Sequence, residues 1–560
     1  MEAIAEQVGT KARSTDVACS TDRYTATYVV APSLGPPDCR DADFTDIQAA
    51  INALPPAGGK VFVKAGTYVI RHTILIQAGN VHIQGEGMGV TNIVADQTMT
   101  ASPAIQVYNP QAGNALPLLA DTSRGDIAVT LGPANAATLT SGDYVLLFSN
   151  KPVDAEDPQK HAGEVKQVTA IDVPTGLITF DDQIFDAYRV ADAAAMARVT
   201  VLRNITLSDF SVTTVAPFYT ANAGFTFFRF VENLQIERVE AHHAYVSGVQ
   251  LLSVRNSNIS DCYIHHISDK QPAANVHYGI TVSSASENVS ITGCRFSHTR
   301  HAVTTGGSSG TLQNGVQRNI VVSNCTSMAA DTAHFDTHDP AENVSYVGCV
   351  AIGGVPAAQE VVGFQMRGAN SSIIGCSVLQ AIGKGILIDV VVSGNVIDGT
   401  NATVPDASIV FHSAERVTIT GNKILNNQTG SPIGMKGNSA NWLIAGNFFA
   451  QNNNNSPAPL SVDSTVINNP GYNPVGIIVN PWHSSGALTN DGGGSPNPVS
   501  GRLYTVRQSP KTIIIAGGAV TQISIDGTPT GLPAGVFKLG IGETIAVTYS
   551  STPTNKVSAD

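Results

Sequence analysis

His334, Asp336 and His338 crowd into the stretch AHFDTH (333–338). On an extended strand, alternate side chains share a face, so all three would point the same way. Imidazoles titrate near neutral pH, and a carboxylate between two of them would orient them or raise their proton affinity. The trio is therefore suited to moving protons. Four other segments align with this one: HYGITV (277–282), RHAVTT (300–305), VGFQMR (362–367) and GKGILI (383–388). In that alignment Gly279, Ala302, Phe335, Phe364 and Gly385 form one column, with Thr281, Thr304, Thr337, Met366 and Leu387 beside it. This small or apolar face is expected to point inward. The opposite face then carries Tyr278, His301, His334 and Lys384, next Asp336 and Gln365, and last His338 and Arg367.

Such a patch could abstract a weakly acidic proton beside a carboxylate, as in elimination from a uronate. Arg367 would neutralise the sugar carboxylate bidentately. His338, His334 or His301 would serve as base and Tyr278 or His301 as acid, with Asp336 orienting them. Lys384, Gln365, His243, Tyr245, His266 and Glu360 are the expected substrate contacts. A hydrolase would instead need two carboxylates roughly 5–9.5 Å apart. Asp336 could pair for that with Asp339, Asp331 or Glu360. A metal site is not expected, because spacing of ~6.8 Å along a flat strand is long for one ion. None of these reactions requires a cofactor.

The elements that must hold these residues are repeats. NSNISDC (256–262), NVSITGC (288–294), NIVVSNC (319–325), NVSYVGC (343–349) and NSSIIGC (370–376) are versions of one unit. Their cysteines are 32, 31, 24 and 27 residues apart. VTITGNKI (417–424) and WLIAGNFF (442–449) continue the pattern with Asn in the Cys position. No unit can bury its own apolar face, so the units must stack as parallel coils, about 4.8 Å apart. The fold expected is all-β, a right-handed parallel β-helix. Its recurring thiols read as buried and free, and its unit-initial Asn residues as left-handed corners with side-chain ladders.

Composition agrees. The 560 residues include 52 Gly and 29 Pro but only 13% charged residues, a mix that favours short strands and turns over long helices. The net charge of −12, with no Lys/Arg cluster, argues against nucleic acid and means that an anionic polymer would need a local basic spot. No apolar run reaches the length of a signal peptide or a membrane span, so neither membrane insertion nor a classical signal is expected.

We divide the chain into an N-terminal extension (1–42), a cap helix with the first coils (43–112) and an inserted β subdomain (113–200). The main β-helix (201–480), a linker (481–500) and a small, sandwich-like C-terminal β domain (501–560) follow. The stretches DFTDIQAAINALPPAGGKVFVKAGTYVI (43–70) and TILIQAGNVHIQGEG resemble the N-terminal cap and first turns of the pectate-lyase-like superfamily. NPGYNPVG and GVFKLGIGETIAVTY resemble the C-terminal domains of phage tailspikes. Those resemblances imply a homotrimer on a virion tail, of phage or prophage origin, or else a secreted protein. They also imply a depolymerase of bacterial capsular or extracellular polysaccharide, acting by elimination. Hydrolysis, C5-epimerisation or noncatalytic glycan binding are the alternatives. FDTHDP (335–340) is similar to the short motif of mannuronan C5-epimerases. The resemblance maps that family's Asp and His to Asp336 and His338, its Arg to Arg367 and its Tyr, roughly, to Tyr278 or His301. Thr337 stands in place of the motif's Pro, and His334 where the family has Tyr.

Overall fold

The computed structural model describes most of residues 26–559. Outside the described residues lie 1–25, 34–41 and 451–464, most of 399–416, 426–442 and 468–494, and shorter loops including 216–224, 268–276, 307–314 and 355–360. Tyr245 and Arg367 also lie outside them.

Each coil of the main body contributes a strand with an Asn at or just before its start, a second short strand, and a third strand on another face. Ser371–Ile374, Glu342–Val347, Arg318–Ser323, Glu287–Thr292 and Arg255–Ser260 pair in parallel, each on the coil before it. A separate eight-stranded sheet runs through Ile74–Ile76, Ile105–Val107, Thr226–Arg229, Ser247–Leu252, Tyr278–Ser283, His301–Gly306, Ala333–Asp336 and Val362–Gln365. The result is a right-handed parallel β-helix. Its core is a continuous stack of apolar side chains, from Val30 through Phe335 and Tyr346 to Phe449.

Three ladders hold successive coils in register. Asn204, Asn233, Asn288, Asn319 and Asn343 all adopt positive φ, and their side-chain amides chain together, as in Asn319 to Asn288 (3.0 Å) and Asn343 to Asn319 (2.7 Å). Asn tolerates this left-handed corner better than a bulkier residue, because its short amide bonds locally. Cys262, Cys294, Cys325, Cys349 and Cys376 are buried free thiols, each donating to a backbone carbonyl. Asn395, Asn422 and Asn447 extend that row, with Asn395 Nδ2 to Asn422 Oδ1 at 2.9 Å and Asn422 Nδ2 to Asn447 Oδ1 at 2.8 Å.

The third ladder alternates in charge. Arg203, Glu232, Arg255, Glu287, Arg318 and Glu342 pair coil to coil in that order. The inserted sheet, built from strands between Leu116 and Val199, docks on this row. Asp181 reaches Arg255 at 2.8 Å, Asp186 reaches Arg318 at 2.9 Å, Arg124 reaches Glu342 at 2.6 Å, and Tyr144 donates to Glu232. Buried charges survive only when paired, so the row and the insertion need each other.

At the N-terminal end, Ala26–Val30 already pairs in parallel with Gly59–Val63. A six-residue helix, Ile47–Asn52, capped by Asp46, turns Ile47, Ala50 and Ile51 into the core. The C-terminal segment forms a five-stranded and a three-stranded sheet, largely antiparallel, around Trp482, Tyr504, Ile513 and Val547.

Close approach leaves no room at Gly279. A Cβ there would lie 2.3 Å from the Ala302 carbonyl oxygen and 2.6 Å from the Phe296 ring. Gly279→Ala is expected to destabilise the protein by about 1–3 kcal/mol, read as a lowered melting temperature.

A candidate catalytic groove on the eight-stranded sheet

One outward row crosses the eight-stranded sheet. Leu75, Gln106, Phe227, Gln250, Thr281, Thr304, Asp336 and Gln365 pair strand to strand. The residues beside them in each strand, such as Ile280, Val303, Phe335 and Phe364, belong to the core, so by alternation this row faces away from it.

That register corrects the sequence alignment. Val303 pairs with Phe335 and Thr304 with Asp336, so His301 lies level with Ala333 and not with His334. One residue of slip between these coils moves every side chain to the other face. Thr281 and Thr304, expected inward, therefore lie in the outward row beside Asp336. His334, expected outward, is wholly buried, with its ring nitrogens 2.7 Å from the Ser327 hydroxyl and 2.6 Å from the Gly353 carbonyl. It is a satisfied structural histidine and not a candidate base. Phe335, Thr337, Phe364 and Met366 are buried as expected.

The strand Ala333–Asp336 ends at the aspartate, and the chain bends so that His338 folds back on it. His338 Nε2 lies 2.9 Å from Asp336 Oδ2. The same carboxylate oxygen accepts from Thr304 Oγ1 at 3.1 Å. The Asp336 carboxylate is fully buried, whereas the His338 side chain is 34% exposed. Bound in this way, Nε2 carries the proton, and the nitrogen that can accept another is Nδ1. Thr305 Oγ1 accepts from the His338 backbone N–H at 2.9 Å and fixes the bend.

His301 lies on the other side of the carboxylate, its Nε2 3.7 Å from Asp336 Oδ2. Its Nδ1 donates to the Ala333 carbonyl at 2.8 Å, and the ring is almost wholly buried. Tyr278 stacks on it with ring centres 5.5 Å apart. Sequence reasoning missed Arg300, whose Nη1 is 3.4 Å from the Tyr278 hydroxyl. Tyr278, Arg300 and the dyad thus lie on three successive coils.

Burial pushes both His301 and His334 down to about 4, with Asp336 partly opposing this at His301 and the Gly353 carbonyl at His334. Each is neutral in the folded protein, whereas an unfolded chain binds the proton near pH 6.5. Between pH 6.5 and 4 the unfolded state binds more protons, so stability is full above that window and falls through it on acidification. The slope is about 1.4 kcal/mol per pH unit for each such histidine. Melting temperatures should drop between pH 7 and pH 5, and His334→Gln should shrink that drop.

The other predicted contacts separate. Gln365 is half-buried and adjoins Asp336 in the row. Lys384 lies on the strand Gly383–Ile386, its side chain outside the described residues, as are Arg367, Tyr245, Glu360 and Asp339 entirely. Asp331 sits at a coil corner, its backbone N–H bonded to the Thr299 carbonyl. His243 and His266 do not lie on the groove sheet. With His298 they form a corner stack, at 5.7 and 4.4 Å, beside the stacked pair His242 and His265 at 4.9 Å. Among the described residues no group of three His, Cys, Asp or Glu is arranged to hold a metal ion. Among them, too, no helix is long and apolar enough to cross a membrane.

Residues 243–466, the coils that carry this site, match the family model described as Gp49, pectin lyase-like. A "Depolymerase, capsule K1-specific" of Klebsiella phage K64-1 is 26% identical over 267 residues, covering 46% of this chain and 28% of that protein. The match thus spans little more than a quarter of that relative's length. Among solved structures, the tailspike gp61 of Pseudomonas phage phi297 aligns with a TM-score of 0.54 at 16% identity, over 92% of this chain and 91% of that one. The tailspike gp49 of Pseudomonas phage LKA1 gives 0.53 at 17% identity, over 91% and 90%. The Gp54 tailspike of Acinetobacter baumannii phage AP22, solved with a capsular saccharide, gives 0.51 at 12%, over 89% and 90%. The likeness to the solved structures shows the fold, a right-handed parallel β-helix.

Proposed function

We propose that this protein is a tailspike-type depolymerase that cleaves a uronate-containing capsular or extracellular polysaccharide by β-elimination. The observation that carries the reading is the Asp336–His338 dyad: a buried carboxylate holding a part-exposed imidazole on the outer face of a β-helix. The depolymerase relative and the saccharide-bound tailspike support the substrate class.

In this reading His338 Nδ1 takes the C5 proton. The C5–H electron pair becomes the C4=C5 double bond, the C4–O4 bond breaks, and its electrons leave with O4. The Tyr278 hydroxyl supplies a proton to O4. Asp336 keeps Nε2 protonated and stabilises the imidazolium that forms. His301, neutral and turned to the Ala333 carbonyl, positions Tyr278 and Asp336 and is not itself the acid. The protein would act as a homotrimer on a virion tail, which light scattering of the purified chain checks for oligomeric state.

The test is a panel of purified bacterial capsular polysaccharides digested with the protein. New reducing ends together with absorbance near about 235 nm, from the unsaturated uronate, support elimination. New reducing ends without that absorbance would replace elimination with hydrolysis, and no cleavage of any acidic polymer would remove the enzyme reading.

A further inference from the structure

We propose that Arg300 reads the negative charge of the glycan, taking a carboxylate of the sugar that lies over Tyr278 and His301. This rests on the polysaccharide reading above and assigns a recognition residue to the same groove.

Four other arginines of this body show what Arg300 lacks. Arg203, Arg238, Arg255 and Arg318 each meet a carboxylate of the chain at 3.0 Å or closer. Among the described residues, no carboxylate lies within ion-pair distance of Arg300. Its partner is a phenol: Nη1 lies 3.4 Å from the Tyr278 hydroxyl, and the guanidinium carbon is 5.8 Å from the ring centre. The residue is half-buried, and its backbone is tied to the neighbouring coil, N–H to the His277 carbonyl at 2.7 Å. A half-buried guanidinium without a carboxylate costs solvation that an arriving anion restores. Its planar fork suits two parallel hydrogen bonds to one carboxylate.

Position points the same way. Arg300 immediately precedes His301, whose ring stacks on Tyr278 and faces Asp336. Its charge also disfavours protonation of His277 and His301, so its field reaches the site. In a chain of net charge −12 this is the local basic spot that an acidic polymer needs. A carboxylate held there would sit beside the hydroxyl assigned to protonate O4.

The test is equilibrium binding in a His338→Ala background, which stops turnover. The probes are a short oligoglucuronate and the same oligosaccharide with its carboxyls reduced to alcohols, measured by calorimetry. The parent should bind the acidic probe about tenfold more tightly than the reduced one. Arg300→Gln should bring the two within about twofold by weakening only the acidic probe, with Arg300→Lys between them, keeping charge but losing the fork. Equal or absent binding of both probes by the parent would overturn the proposal, as would a preference that persists in Arg300→Gln. If Arg300→Gln does not fold, an unchanged preference in Arg300→Lys overturns it equally. Cleavage lacking unsaturated ends would end the elimination reading without touching this binding ratio, so the two failures are distinct.

Discussion

Replacing His338 by alanine is expected to lower depolymerisation turnover by about 10²–10⁴-fold, the usual range for a lost general base. The fold should persist, because the side chain is one-third exposed and lies beyond the last residue of its strand. Asp336→Asn is expected to fall in the same range for a different reason. An amide NH₂ facing Nε2 would favour the tautomer with its proton on Nδ1, which is the nitrogen needed as acceptor. That NH₂ would also stand where Thr304 now bonds Asp336, and the Thr304 hydroxyl can accept from it while donating to the Thr305 carbonyl. The two variants should therefore lose turnover together while keeping affinity for the polymer. Initial rates of reducing-end release, beside binding measured on the same polymer, check this. A His338→Ala enzyme with normal rates would exclude the dyad as the base.

The largest effect on stability is expected at Arg318. Its side chain is 5% exposed and bridges Asp186 of the inserted sheet at 2.9 Å and Glu342 of the next coil at 3.0 Å. It also faces the Phe185 ring at 5.4 Å. Arg318→Ala leaves Asp186 without this partner in a buried interface, a change that costs about 3–5 kcal/mol. Calorimetry should show a lowered unfolding temperature. Limited proteolysis should cut first between residues 113 and 200, because the insertion loses one of its main ties to the helix. Equal loss of stability with the insertion still protected would mean that the ladder serves the coils alone.

Much of the scaffold was legible in the sequence because its physics is periodic. Cys325 and Asn319 recur at the same places in successive units, and only stacked coils give such recurrence a use. The alternating ladder was equally written there. The residue before each unit-initial Asn runs Arg203, Glu232, Arg255, Glu287, Arg318, Glu342, reversing sign at each coil. It went unread because each charge by itself resembles a solvated strand edge.

The site was harder for a specific reason. Alternation assigns faces only once register is known, and the coil before Ala333 differs by one residue from the alignment that residue types suggest. That single slip put Thr281 and Thr304 in the row of Asp336, while the burial of His334 comes from Ser327 and Gly353, which lie on neighbouring elements. The pairing of His338 with Asp336 also needs the chain to leave the strand at Thr337, which no periodicity encodes. Arg300 escaped because it lies at a corner, and only the fold sets it beside Tyr278.

In the reading proposed above, the Asp336–His338 dyad breaks a uronate glycosidic link by elimination. The mass of the first product from a cleaved capsular polysaccharide, made by the native protein and by His338→Ala, tests it most directly. Hydrolysis adds one water across the broken bond, and elimination adds none. Elimination by the dyad predicts fragments without the added water from the native protein and almost none from His338→Ala. Fragments that carry the added water, or equal yields from both proteins, would contradict it.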